Sequence, residues 1–351
     1  MHELTSDPGL EKYLVLAQEL MRRIYAGDIS PDELHNWLAM QMQLVAATGS
    51  ENAVLTWPES FDYYEQLLAE RKARAALPVA ERSELSWAWP AWNRMIDPLE
   101  PGLLGVIAGG DGMGKTVYAE VQAEDWAEKG KRVAFVHFEL NRAVMLDRRA
   151  ARHTGISRRE LKAGPFSRET IAKWHGARKR LEAYDGQITY LHTPGWSMER
   201  VTERLASLVE AGECDVAIID YLEKARPSSR QLKLYGTNHW QREADDVEIV
   251  KTFAEAAETP ILLLAQLSKS GKGQDIDRLD RTAIRGAGEK TEKANIVVLI
   301  NRKRDDEDGY APVVDVRIDK NTLGPTGNFQ QVMDGEHFRV GDMLAEPGGY
   351  H

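Results

Sequence analysis

Eight consecutive residues, Gly109-Gly110-Asp111-Gly112-Met113-Gly114-Lys115-Thr116, fit the pattern G-x-x-x-x-G-K-[ST] at every fixed position. The residue types suit phosphate. Glycines let a chain bend round an anion without Cβ clashes, and successive N–H groups at a helix start form an anion nest. Lys115 is expected to reach the β and γ phosphates of a bound triphosphate, and Thr116 to set its hydroxyl on Mg²⁺. Such a site needs a carboxylate to hold the hydrated metal. Asp220 closes the apolar run Val216-Ala217-Ile218-Ile219, where a parallel strand would deliver it to the ligand crevice. Glu139 closes Val133-Ala134-Phe135-Val136-His137-Phe138 in the same relative position. It is either a base that takes a proton from the attacking water or an ordinary helix-start glutamate. Gln266 ends Ile261-Leu262-Leu263-Leu264-Ala265, where it either senses the γ phosphate or caps a loop.

These residues require short parallel strands alternating with helices. Strands are expected at Leu103–Ala108, Val133–Phe138, Ile188–Leu191, Val216–Ile219, Ile261–Ala265, Ile296–Ile300 and Val313–Ile318. Helices fit Thr116–Lys129, Met198–Ala211 and Asp245–Ala257, with Arg142–Glu182 also helical in pattern. Apolar strands between helices give an α/β fold with a mostly parallel sheet covered on both faces. The last two strands, flanking acidic 305–308, read as an antiparallel hairpin. Residues 1–80 read as helical: Leu10–Ala26, a second helix from Ser30-Pro31 to about Ser50, and a third from Glu59 to Ala76. Residues 81–102 carry Pro90, Pro98, Pro101 and three tryptophans, Trp87, Trp89 and Trp92. They read as a linker whose aromatics dock on the core rather than as a base-stacking platform. The main domain is expected over 103–345.

Composition narrows the function class. The 351 residues are 42% apolar and 28% charged, which is globular rather than disordered. A net charge of -10 excludes a basic coat for nucleic acid, though not a local basic groove. The single cysteine, Cys214, excludes an internal disulfide and a multi-thiolate zinc site. No apolar run approaches the roughly 18 residues of a membrane span, and residues 1–7 lack the pattern of a secretory signal, so a cytoplasmic location is expected. There is no N-K-x-D guanine-reading segment and no evident kinase lid. An ATP-driven motor remains.

Several segments, in order, resemble the motor domain of the DnaB-type replicative DNA helicases. Trp92-Asn93-Arg94-Met95-Ile96 and Leu99-Glu100-Pro101-Gly102 are similar to the family's lead-in segment. Met113-Gly114-Lys115-Thr116, Phe138-Glu139-Leu140-Asn141 and Ile219-Asp220-Tyr221-Leu222 resemble its phosphate loop, catalytic strand end and metal-aspartate segment. Pro260–Leu267, then Ile284-Arg285-Gly286-Ala287-Gly288 with Ala294–Val298, and finally Gly324-Pro325-Thr326-Gly327 complete the series. The resemblance implies a RecA-like core, a homo-hexameric ring on single-stranded DNA, and a loader or primase as a further partner. It implies Glu139 as catalytic base and Gln266 as sensor. A loader or adaptor with slow ATP turnover is the alternative.

The sequence departs from the family at one informative point. The family has K-x-R before G-P-T-G, and that arginine reaches the neighbouring subunit's ATP. Here Lys320 is retained, but the arginine position holds Thr322. Two-residue strand periodicity puts Lys320 and Thr322 on one face and Arg317 on the other unless a bulge intervenes. Arg302 and Arg304 are then the expected helpers. For DNA, the glycine-containing segment Ser268–Gly288 offers Lys269, Lys272, Arg285, Gly286 and Gly288 for backbone phosphates. A second loop is expected over Lys224–Gln241. Residues 142–182 carry 12 Lys or Arg against 4 Asp or Glu and read as a solvated face or subunit contact.

Overall fold

Apolar runs bounded by glycine, proline and capping residues become the strands of one sheet, and their ends set out the site. The computed structural model describes residues 8–26, 34, 38, 57–76, 85–164, 166–184, 187–220, 222–267, 292–305 and 309–343. The chain divides into two compact units, Met1–Arg82 and Ser83–His351. In the first, helices α1 (Pro8–Ala26) and α2 (Trp57–Ala75) are described. Of the expected middle helix only Leu34 and Leu38 are among the described residues, and both are helical.

The second unit is an α/β domain. Its helices are α3 (Pro90–Asn93), α4 (Lys115–Glu128), α5 (Arg142–Thr154), α6 (Arg158–Ala163), α7 (Arg168–Glu182), α8 (Met198–Glu210), α9 (Ser229–Tyr235) and α10 (His239–Ala256). Its strands are β1 (Leu104–Gly109), β2 (Val133–His137), β3 (Ile188–His192), β4 (Val216–Asp220), β5 (Ile261–Gln266), β6 (Ile296–Asn301), β7 (Arg304–Asp305), β8 (Gly309–Tyr310), β9 (Val313–Asn321), β10 (Gly327–Asp334) and β11 (Arg339–Asp342). The nine-stranded sheet has the order β11-β10-β9-β6-β1-β5-β4-β2-β3, and β7 pairs with β8 apart from it. From β3 to β6 the pairs are parallel, while β9, β10 and β11 run antiparallel in turn. Both faces are covered. Leu104, Val106 and Ala108 of β1 pack with α8 and α10 residues, and Ile107 packs on the opposite face with α4.

The tryptophans of the lead-in segment belong to that second core. Trp87, Trp89 and Trp92 are all buried, with Trp126 and Tyr118 among them. Each indole N–H is satisfied. Trp87 donates to Asp97 O at 3.0 Å, Trp89 to Val340 O at 3.0 Å and Trp92 to Gln331 Oε1 at 2.9 Å. A buried indole keeps its donor paired, so the rings are core and not a platform for bases.

The region after β4 differs from the sequence expectation. Lys224–Gln241 is not a long loop. Ser228 caps α9 through a reciprocal box with Gln231, and Asn238 caps α10. Those local caps make helices where the charged composition suggested a loop. Strands β10 and β11 extend the sheet beyond the last expected strand.

Candidate nucleotide site

The glycine segment joins the end of β1 to the first turn of α4 and is held from beneath. Gly112 and Gly114 adopt φ of 75° and 98°, which only glycine takes without strain. A Cβ on Gly112 would lie 2.6 Å from the Tyr310 ring, and one on Gly114 would run into the end of Met333. The first turn of α4 has no side-chain cap, so its N–H groups point into the loop. Lys115 is buried and its Nζ donates to Gly109 O at 2.9 Å and Gly110 O at 3.0 Å. Tyr310 Oη donates to Asp111 O at 2.9 Å.

The strand ends bring the acidic partners to this loop. Asp220 ends β4, whose neighbours are β2 and β5. Thr116 Oγ1 donates to Asp220 Oδ2 at 2.8 Å. Asp220 is 5% exposed, and its other oxygen, Oδ1, has no hydrogen-bond partner among the described residues. Burial pushes its carboxyl up to about 6, against the pull of the Thr116 hydroxyl and Lys115. A buried, half-satisfied carboxylate beside a threonine hydroxyl fits a hydrated divalent cation. Mg²⁺ there would supply charge neutralisation for a triphosphate.

His137 of β2 lies opposite Asp220 in register, and Glu139 follows it by two residues. Glu139 is half exposed and forms an ion pair with Lys224 Nζ at 3.0 Å. Gln266 ends β5, in register with Gly109, and its Nε2 donates to Asp111 Oδ1. The Gln266 backbone N donates to Glu223 Oε1 at 3.0 Å. The short turn Leu222–Lys224 after Asp220 therefore touches both the Gln266 and Glu139 strand ends.

Of the sequence-predicted residues, Gly109–Thr116, Asp220, Glu139 and Gln266 come to one edge of the sheet. Lys320 does not. Its partner in register is Val297, near the start of β6, roughly 13 Å down the strand from Asn301 at about 3.3 Å per residue. Its Nζ donates to Glu292 O at 2.8 Å. Thr322 is not on the strand at all, but in the turn after β9. A bulge between Val297 and Val298 leaves Asp319 as the extra residue, so Lys320 and Arg317 lie opposite Val297 and Leu299 on the same face. This bulge is the exception that the two-residue period allowed, and it moves Arg317 to the face of Lys320. Arg302, one of the expected helpers, has its guanidinium donating to Ala311 O at 2.8 Å and Tyr310 O at 3.1 Å within its own chain. Lys269, Lys272, Arg285, Gly286 and Gly288 lie outside the described residues.

Sequence reasoning missed Lys224, Glu223, Tyr310 and Met333. The first two follow Asp220 closely and were readable as charged neighbours of a site residue. Tyr310 and Met333 meet the loop only through strand order, which no local pattern reveals. No helix among the described residues is long and apolar enough to cross a membrane.

Residues 87–342 match the model of the DnaB-like helicase C terminal domain. The chain is 23% identical over 336 residues to a "Probable replicative DNA helicase" of Trieres chinensis, covering 94% of this chain and 71% of that one. It is 25% identical over 256 residues to a "Probable plasmid replicative DNA helicase" of Chlamydia trachomatis, covering 69% of this chain but 54% of the relative. Among solved structures, one described as an ATPase domain superposes with a TM-score of 0.68 at 18% identity, over 80% of this chain and 98% of that one. A DnaB-like replicative helicase described with its interactions with primase gives 0.71 at 16% identity, over 96% and 76%. These likenesses fix the architecture as that of the RecA-like ATPases, and with a family match spanning most of the sequence the chain belongs to the DnaB-like helicases.

Proposed function

We propose that the chain is an ATP-driven DNA helicase that travels on single-stranded DNA as a homo-hexameric ring in DNA replication. The observation that carries this is the junction of Thr116 with buried Asp220 at the phosphate loop, with Glu139 on the neighbouring strand end. ATP phosphates would displace the loop carbonyls from Lys115 and take the N–H groups at the start of α4. Thr116 and Asp220 would hold Mg²⁺. Glu139, once released by Lys224, would accept a proton from the attacking water. The nucleobase would lie toward β6 and β10, because Asp220 and Glu139 are on the β4–β2 side of the loop and Tyr310, Arg302 and Met333 are on the other.

Gln266 supports a link to DNA. It touches the phosphate loop through Asp111 and immediately precedes the segment that carries Lys269, Lys272, Arg285, Gly286 and Gly288. A change at the γ phosphate would therefore reach that segment through one strand end. The names of the relatives support a replicative setting, and the solved helicase described with its interactions with primase supports primase as a partner, while a loader rests on the sequence resemblance. The chain spans about half the length of the Chlamydia relative, so these partners belong to the proposal.

The test is ATP hydrolysis with and without single-stranded DNA, alongside solution mass. The expected result is DNA-stimulated turnover by an assembly of six chains. Arg285→Ala is expected to lose the stimulation and keep the basal rate, with DNA affinity falling as salt rises. Slow turnover indifferent to DNA would favour an ATP-binding loader or adaptor instead.

A further inference from the structure

Helix α4 presents Thr116, Glu120 and Glu124 at i, i+4 and i+8, on one face. Glu120 and Glu124 are 3% and 6% exposed. Helix α5 answers with Arg148, Arg149, Arg152 and His153. Arg152 is buried and donates to Glu120 Oε2 and, at 2.7 Å, to Glu124 Oε1. Its Nε donates to Phe338 O at 2.8 Å, and Arg339 donates to Arg152 O at 2.8 Å. Arg149 lies 3.3 Å and His153 2.9 Å from Glu124. Burial opposes charge on Glu124, but Arg152 and His153 overcome it and hold the carboxyl below its usual range. Arg148, Arg149 and Arg152 are thus turned inward, while Arg159, Lys162, Arg168, Lys173, Arg178, Lys179 and Arg180 of the same stretch are exposed, as their sequence suggested.

One joint in the seam is slack. Arg148 Nη1 stands 3.6 Å from Glu120 Oε1, and neither atom has a hydrogen-bond partner among the described residues. A buried ion network is on average no more stabilising than apolar packing, so fixed geometry is the better reason for its presence here. Its ends are informative. Thr116, four residues before Glu120, joins Asp220. Helix α5 begins at an Asn141 cap, two residues beyond Glu139, with Asn141 Oδ1 accepting from Val144 N at 3.0 Å. A slide or rotation of α5 against α4 would carry Glu139 with it.

We infer that Glu120 is a positioning residue, acting through Arg148 and Arg152 to hold Glu139 in register with Thr116 and Asp220. The inference rests on the proposed role of Glu139 as base. The slack contact closes when nucleotide draws the first turns of α4 into place, and α5 then sets the Glu139 carboxylate toward the γ phosphate.

The test uses the full chain and separates kcat from nucleotide affinity. Glu120→Gln is expected to lower kcat about tenfold, with the Kd for a fluorescent ATP analogue close to the parent's. On a Glu139→Gln background it should cost nothing further, because it acts only through that carboxylate. A role in folding alone would multiply the two losses. Arg148 is more exposed and tolerates substitution better: Arg148→Lys should retain most of kcat, and Arg148→Met should lose about tenfold. A parent-like kcat in Glu120→Gln and Arg148→Met overturns the inference. So does an equal loss of affinity, which would show the seam merely shaping the phosphate loop. Parent-rate hydrolysis by Glu139→Gln would instead sink the base assignment, whatever Glu120→Gln does.

Discussion

Glu139 is tied to Lys224 by an ion pair in which both side chains are about half exposed. Pairs of this kind are worth roughly 0–1 kcal/mol, so the tie is easily broken by a phosphate or a competing cation. Glu139 is therefore restrained but available. Glu139→Gln removes a base and leaves the phosphate cradle whole. It should retain ATP-analogue binding and lose hydrolysis by about a hundredfold or more. Equilibrium binding and steady-state turnover on the same preparation check this. Lys224→Ala should raise the basal rate in the absence of DNA, since it frees the carboxylate without touching the loop. If Lys224→Ala hydrolyses no faster than parent while folding normally, the tie has no regulatory weight.

Helices α9 and α10 meet across a buried acidic joint. Gln231 Nε2 donates to Asp246 Oδ1 at 2.8 Å and to Asp245 Oδ2 at 2.9 Å, and Arg230 pairs with Asp245 and Glu199. Burial pushes the Asp246 carboxyl from 3.8 to about 7, against the Gln231 amide and helped by Glu199, Asp245 and Glu243. The folded chain thus holds a proton that the unfolded chain releases near pH 4. Stability should fall as pH rises from about 4 to about 7, by up to about 4 kcal/mol, and then level off. Asp246→Asn should raise Tm most at pH 8, less at pH 5 and hardly at all at pH 3.5, as thermal unfolding at the three pH values would show. This joint also shows what sequence hides. The strands ending in Glu139, Asp220 and Gln266 were legible because apolar runs stop at a polar residue, and the phosphate loop because its spacing is specific. Helix α9 and the start of α10 before Asp245 were not, because their charged surfaces lack a long apolar stripe, whereas the rest of α10 was expected from Asp245 on. Their caps at Ser228 and Asn238 were the available signal. Strands β10 and β11 alternate weakly between polar and apolar residues, and their burial comes from packing against the tryptophans. The inward turn of Arg148, Arg149 and Arg152 depends on Glu120 and Glu124 in another helix, so composition alone did not separate these three from the exposed cations of the same stretch.

At the scale of the whole molecule, Lys320 is the test of assembly. It stands roughly 13 Å from the nucleotide edge of its own sheet, too far to serve that site, and at the opposite end of β6. A cation displaced from its own site can still complete a neighbour's if copies associate head to tail, the arrangement that closes into a ring. The bulge at Asp319 supplies a second one. It puts Arg317 on the face of Lys320, with Asp319 holding the Arg317 guanidinium at 3.1 Å. Thr322 carries no charge and sits in a turn, so Arg317 is the better candidate for the missing guanidinium than Arg302. Charge that develops on a transferring phosphoryl group rewards such cations strongly. Arg317→Ala and Lys320→Ala should each hydrolyse ATP poorly while binding it normally, and Lys115→Ala should fail at binding. Mixed in equal amounts with Lys115→Ala, either of the first two should recover up to about a quarter of parental turnover, since half the chains offer an intact loop and half an intact cation. Recovery requires that one copy complete the site of the next. If the mixtures stay inactive while mass measurements show that the variants co-assemble, Arg317 and Lys320 have no role at a shared site, and the slow-turnover adaptor gains on the ring motor.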